Sequence, residues 1–178
     1  MKRLSLALLM LLFLTGCNTV PHRFSNEEVI DLQNKNNIEA TTALVKTLKE
    51  KGFTTQKISP TQFLIRYNEH DFLMEPKIVE DGLSRIIVSR LFKIKEEYQE
   101  SPELFVLIIA LNRHLNFAKF SMLPENRAGQ VQTAITFVDE TIQILEIQQF
   151  LIWMDDSLNK IKNMVPPEAL HMLENETN

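Results

Sequence analysis

Apolar residues recur every three or four positions over residues 38–51, placing Ala40, Leu44, Val45 and Leu48 on one side of a helix that Gly52 should stop. Beyond it the period shortens. Residues 54–58, 62–67 and 71–74 read as short strands, the first ended by Pro60 and the last two flanking a polar hairpin turn at Asn68-Glu69-His70. A longer strand is predicted over 83–95, after Gly82, with Ile86, Val88, Phe92 and Ile94 on one face. Ser101-Pro102-Glu103 has the order of a helix start: a capping serine, proline at the first helical position, and an acid in the first turn. That helix should reach about residue 117 and bury Leu104, Ile108, Leu111 and Leu115. Two further strands are expected over 119–123 and 130–138, the second alternating Val131, Ile135 and Phe137 with Gln132, Ala134 and Thr136. A last helix begins near Asp139 or Thr141 and stops before Pro166-Pro167, and Ser25 with Glu28 has the spacing of a capping box on a short helical turn. The fold class is therefore α+β, a mostly antiparallel sheet flanked by helices, in outline α-β-β-β-α-β-β-α.

The last helix has a second pattern. Ile144, Ile147, Leu151, Met154, Leu158, Ile161 and Val165 form the stripe of an ordinary core face. Ile142, Leu145, Ile152 and Trp153 fall on roughly the opposite side and, with Phe150, make the first turns apolar nearly all round. Such a helix must be covered on two sides. The sheet and the second helix suffice for that. The sharper expectation is a partner or homodimer surface at Phe150, Trp153, Ile142, Leu145 and Ile152, since aromatic residues are favoured in such patches.

The N-terminal segment has a separate logic. Lys2 and Arg3 precede an apolar run over 4–14, which has the length of a signal h-region and is too short to span a bilayer. Leu14-Thr15-Gly16-Cys17 resembles the lipobox of bacterial lipoproteins. The resemblance implies a signal peptide over 1–16, a thioether-linked diacylglyceryl group on Cys17, and membrane attachment through that lipid. Asn18 stands where an aspartate would favour retention in the inner membrane, so the outer membrane, facing the periplasm, is the expected address. Residues 17–26 then form a lipidated tether, 27–167 a single domain and 168–178 a polar tail.

Charge and composition narrow the chemistry. Taking Lys2 and Arg3 from the 19 basic residues leaves 17 against 23 acidic ones, a net charge of −6 for the processed chain. Without a basic run, this argues against nucleic acid. Cys17 is the one cysteine, so once it is lipidated no thiol remains for a disulfide, a redox motif or a thiolate metal site. His22, His70, His114 and His171 are widely spread and read as surface or capping residues rather than metal ligands. Asn112 and Asn116 read as groups satisfying the backbone where the second helix ends. Asp155-Asp156 reads as helix-surface charge and Asp139-Glu140 as N-terminal capping of the last helix. No nucleophile elbow, phosphate-binding glycine loop or H-E-x-x-H motif is present, so neither a catalytic set, a cofactor nor a metal is expected.

Asn112-Arg113-His114-Leu115-Asn116, the strand at Ala118-Lys119-Phe120-Ser121-Met122, the turn at Gly129 and the strand at Thr133-Ala134-Ile135-Thr136-Phe137 resemble the YbjN-type domain, within the wider fold of type III secretion chaperones. The resemblance covers about residues 38–165. It implies protein binding, often as a homodimer, and no catalytic residues. Two functions are therefore expected of this chain: first, a lipid-anchored adaptor or pilotin-like chaperone holding another envelope protein; second, a carrier of a small amphiphile, with Phe63, Ile65, Phe72, Met74 and Phe120 as candidate pocket residues. An envelope hydrolase comes third.

Overall fold

The computed structural model describes residues 28–80, 82–114, 116, 118–123, 128–138 and 140–175. The expected signal, Cys17, the tether and the capping serine Ser25 lie outside these residues, as do Leu115 and Asp139.

Helix α1 (Asn37–Glu50) is opened by Asn36, whose Oδ1 accepts the Ile38 and Glu39 N–H groups at 2.9 and 3.1 Å. Glu39 Oε2 accepts the Asn36 N–H at 2.9 Å in return, completing a capping box. Gly52, at φ +88°, ends the helix as expected. It lets the Phe53 N–H reach the Leu48 carbonyl and its own N–H reach that of Lys49, both at 3.0 Å.

The strands are β1 (Val29–Asp31), β2 (Thr54–Ser59), β3 (Gln62–Tyr67), β4 (His70–Lys77), β5 (Ser84–Ile94), β6 (Lys119–Met122), β7 (Ala128–Phe137), β8 (Thr141–Gln143) and β9 (Leu173–Asn175). Six of them form an antiparallel sheet in the order β2-β3-β4-β5-β7-β6, and the small β1-β8 pair stands apart. The class and order are those expected. The four strands between the first two helices lie at the four predicted segments, one more than the α-β-β-β-α outline counted, and β1, β8 and β9, three residues each, are too short to show a period.

One face of the sheet carries the core. Phe63, Ile65, Phe72, Met74, Ile86 and Val88 are wholly buried there, against Ala40, Leu44 and Leu48 of α1 and the stripe Ile144, Ile147, Leu151, Met154 of α3 (Ile144–Met164). The stripe lies where the spacing put it. Capping of α3 does not: Gln143 is its N-cap, with Glu146 closing the box. Glu140, at φ +50°, instead accepts the Leu32 N–H on its carbonyl at 2.8 Å. The opposite sheet face is mostly polar, with the Arg66–Asp71 ion pair at 2.6 Å in the open and Leu64, Leu73 and Ile87 half-buried. Arg66 holds the Asp71 carboxyl below the usual carboxylate range through their hydrogen bond.

The end of the chain corrects the domain reading. Residues 168–170 and 173–175, expected in a polar tail, lie in α4 (Pro167–Leu170) and β9, joined by a turn, and β9 pairs with β5 across Phe92, Lys93 and Ile94. It occupies the edge of β5 beyond Ser89, where pairing with β4 has stopped. Among the described residues no helix is long and apolar enough to cross a membrane.

Candidate functional site

Helix α2 (Pro102–His114) starts where Ser101-Pro102-Glu103 placed it, with Ser101 Oγ accepting the Leu104 N–H at 3.2 Å. Its far end is tied to β6 by Asn112. The Asn112 Nδ2 donates to the Phe120 carbonyl at 2.8 Å and its Oδ1 accepts the Phe120 N–H at 2.7 Å. Asn112 thus satisfies the backbone near the helix end, as expected, though on a neighbouring strand rather than on the helix itself. Asn116 is exposed. Replacing Asn112 by alanine frees both Phe120 groups, and two such bonds at the surface contribute about 1 kcal/mol. Exchange of the Phe120 amide hydrogen should accelerate roughly fivefold in this variant; an unchanged rate would show that β6 holds α2 without it.

Tied to β6 at this end, α2 lies over the sheet without sealing against it. The space beneath is a cavity of about 240 Å³. Arg90, Phe92 and Ile94 of β5, Phe120 and Ser121 of β6 and Gly129 and Gln130 of β7 line it from the sheet. Leu104, Leu107, Ile108 and Leu111 of α2 form one wall, and Leu158, Ile161, Lys162 and the following Val165 form the wall on the α3 side. Leu170 and Leu173 close the end. An apolar cavity of roughly 150 Å³ is enough to admit a benzene ring.

Gly129 is the small residue of the sheet lining. A Cβ placed on it would meet Ile94 Cδ1 at 3.9 Å and Leu173 Cδ2 at 4.0 Å, ordinary contacts that leave room for a side chain to enter the cavity. Arg90 is the charged residue of that lining. It is 6% exposed, and its guanidinium carbon lies 5.0 Å from the centre of the Phe92 ring. Burial lowers its pKa to about 10, an effect that the charge of Asp155 partly opposes.

Asp155 belongs to a second cluster, at the edge of the core. It is 4% exposed rather than a surface charge, and its neighbour Asp156 is exposed. Its Oδ1 lies 2.7 Å from His70 Nδ1, and its Oδ2 accepts Asn68 Nδ2 at 3.0 Å and Asn159 Nδ2 at 3.4 Å. Asn68 sits in the left-handed region at φ +52°, forming the β3–β4 turn. Burial, followed by the charges of Asp155 and Asp156, raises the Tyr67 pKa nearby. His70, expected at the surface, is therefore a half-buried structural partner that ties the hairpin to α3. The second acidic residue in the sequence pattern faces away, so the pair makes no catalytic dyad.

The residues marked by sequence as a partner surface are only partly together. Ile142 is wholly buried, because β8 pairs it with Ile30 of β1, and it is removed from that surface. Leu145, Ile152 and Phe150 are half-buried, and Trp153 is 42% exposed with its ring 5.4 Å from that of Phe150. Of the five candidate pocket residues only Phe120 lines the cavity; Phe63, Ile65, Phe72 and Met74 are ordinary core beneath α1 and α3. Sequence reading missed Arg90, Leu107, Leu158 and Ile161 as a set. The signal for Arg90 was present: it takes an inward turn in the alternation of Ile86, Val88, Phe92 and Ile94. Among the described residues no group of three His, Cys, Asp or Glu could hold a metal ion. No family model matches the sequence, and no curated protein matches it.

Proposed function

We propose that this protein is a carrier of small amphiphiles, tethered to the outer membrane by lipid on Cys17 and facing the periplasm. The observation that carries the reading is the cavity between α2, α3 and the sheet, apolar over most of its lining and large enough for a single hydrocarbon group. A lipid anchor and an internal apolar chamber together suit the holding of a hydrophobic molecule near a membrane without its release into water.

Native mass spectrometry of the full-length lipoprotein, gently extracted from its own envelope, tests this. A non-covalent ligand beyond the acyl chains on Cys17 is expected, and it should vanish in Gly129→Leu, whose side chain fills the chamber. A ligand-free parent protein that also fails to take up an added amphiphile would overturn the reading.

The adaptor reading has one observation in its favour. Phe105, Val106 and Ile109 on the outer side of α2 are 44–66% exposed, and Trp153 is also at the surface. The resemblance to secretion-chaperone domains points the same way. Crosslinking in cells that repeatedly yields one protein, lost on Val106→Glu, would move the function from the cavity to this surface.

A further inference from the structure

Helix α2 differs from its neighbours in what it shows to solvent. The exposed side of α1 includes Glu39, Thr42, Lys46 and Lys49, and that of α3 includes Glu146, Gln149, Asp156 and Lys160. In the corresponding positions α2 presents Phe105, Val106 and Ile109, which are 44%, 65% and 66% exposed. No polar side chain stands anywhere from Leu104 to Leu111. The inner half of that run, Leu104, Leu107, Ile108 and Leu111, lines the cavity. A helix apolar all round needs an apolar neighbour on both sides, and the described residues leave the outer side of α2 open.

What covers it follows from where the chain leads. Glu28, the first described residue, accepts the Ile144 N–H of α3 on its carbonyl at 2.9 Å and pairs with Lys51, at the end of α1, at 2.8 Å. The chain that precedes it therefore leaves from the helical side of the sheet, the side on which α2 lies. On the carrier reading above, the eleven residues from Cys17 to Glu27 join the domain to lipid. Eleven residues reach at most about 40 Å, while a domain of this size has a radius of gyration of about 15 Å. The bilayer is thus within reach of α2. Three large side chains fall far short of the roughly 20–30 residues a side with which specific protein interfaces are built. They suffice for a bilayer, because the anchor already holds the domain there and further apolar burial adds to it. The flanks agree. Glu103 and Arg113, exposed at the two ends of the apolar run, keep their charges at head-group level, and Arg113 lies one turn beyond Ile109 on the same side, suited to a lipid phosphate.

We propose that the outer face of α2 rests in the interfacial layer of the anchoring bilayer, with Phe105, Val106 and Ile109 against the upper acyl carbons. One helix then has membrane on one side and the cavity on the other, and a hydrophobic molecule passes between them without being carried through water.

The test places an indole on α2 of the full-length lipoprotein, held in vesicles of phosphatidylethanolamine and phosphatidylglycerol, with Trp153, the one native tryptophan, changed by Trp153→Phe. Emission from Val106→Trp should fall at least twofold when the acyl chains of the vesicle lipids are brominated. Thr136→Trp, exposed on the opposite face of the sheet, should be unaffected. Adding Ile109→Glu should abolish the quenching at position 106 while the protein still floats with the vesicles. An indole at 106 that stays as bright as one at 136 would overturn the proposal, whether it lies in water or against a second copy. Protein that does not float at all would remove the anchor and the proposal together. Cargo in the native mass spectrum reports on the carrier separately: cargo without quenching removes the docking and leaves the carrier, and quenching without cargo does the reverse.

Discussion

Arg90→Met is expected to melt about 3–6 °C above the parent protein, even though it gives up the cation–π contact with Phe92. The direction follows from burial. A pKa lowered to about 10 by desolvation means that the folded protein holds this proton less well than the unfolded chain does. That lowering corresponds to roughly 3 kcal/mol, of which water reaching the cavity screens about half. Methionine keeps the length of the stem against Phe92 and removes the charge, the kind of exchange that commonly stabilises a buried ionic site. Alanine would not serve, because it enlarges the void. The sign also predicts a pH dependence. The penalty is present in full at neutral pH and is relieved as pH climbs through 10, where the unfolded arginine still binds a proton that the folded one has released. The gap between variant and parent should therefore narrow in alkaline thermal melts. A parent protein that melts above Arg90→Met at pH 7 would show that the guanidinium is a structural strut.

Asp155→Ala should act in the other direction and more strongly, lowering stability by about 3 kcal/mol. One carboxylate, 4% exposed, serves His70, Asn68 and Asn159 at 2.7, 3.0 and 3.4 Å. Truncation leaves His70 and Asn68 with donors turned toward a hole, and it withdraws the negative charge that favours protonated Arg90. The β3–β4 turn then loses its tie to α3. For a domain of this size the midpoint should fall by about 6–12 °C, whereas Asp155→Asn, which retains one acceptor, should lose roughly half as much. Urea denaturation of the two variants against the parent measures the difference. A loss below about 1 kcal/mol for Asp155→Ala would mean that water already shares the cluster.

The contrast between these two residues explains what the sequence makes legible. Long periodic elements carry their own signature, so α1 with its Gly52 stop, the α3 stripe from Ile144 to Ile161 and the β5 and β7 alternations lie where spacing puts them. Short elements do not: β1, β8 and β9 are defined by partners distant in the chain, and no window of three residues shows a period. That is why Ile142 resembles an exposed helical position and is instead core. Polar residues are harder still, since a charge reads as surface until its surroundings are known. Asp155 beside Asp156 on a helix, and Arg90 in a strand, each became interpretable only once the facing element was in place. The cavity was invisible for the same reason. Its walls come from four strands and three helices, and a void leaves no residue in the sequence to mark it.

The chamber is finished by the last part of the chain. Leu170 and Leu173 contribute to it from α4 and β9, while the core of the sheet, α1 and α3 is complete in residues that precede them. A chain delivered from its N-terminus can therefore assemble its scaffold before its container exists. The end wall of the cavity is thus the part that comes last among the described elements, resting on a sheet and helices that are already complete without it.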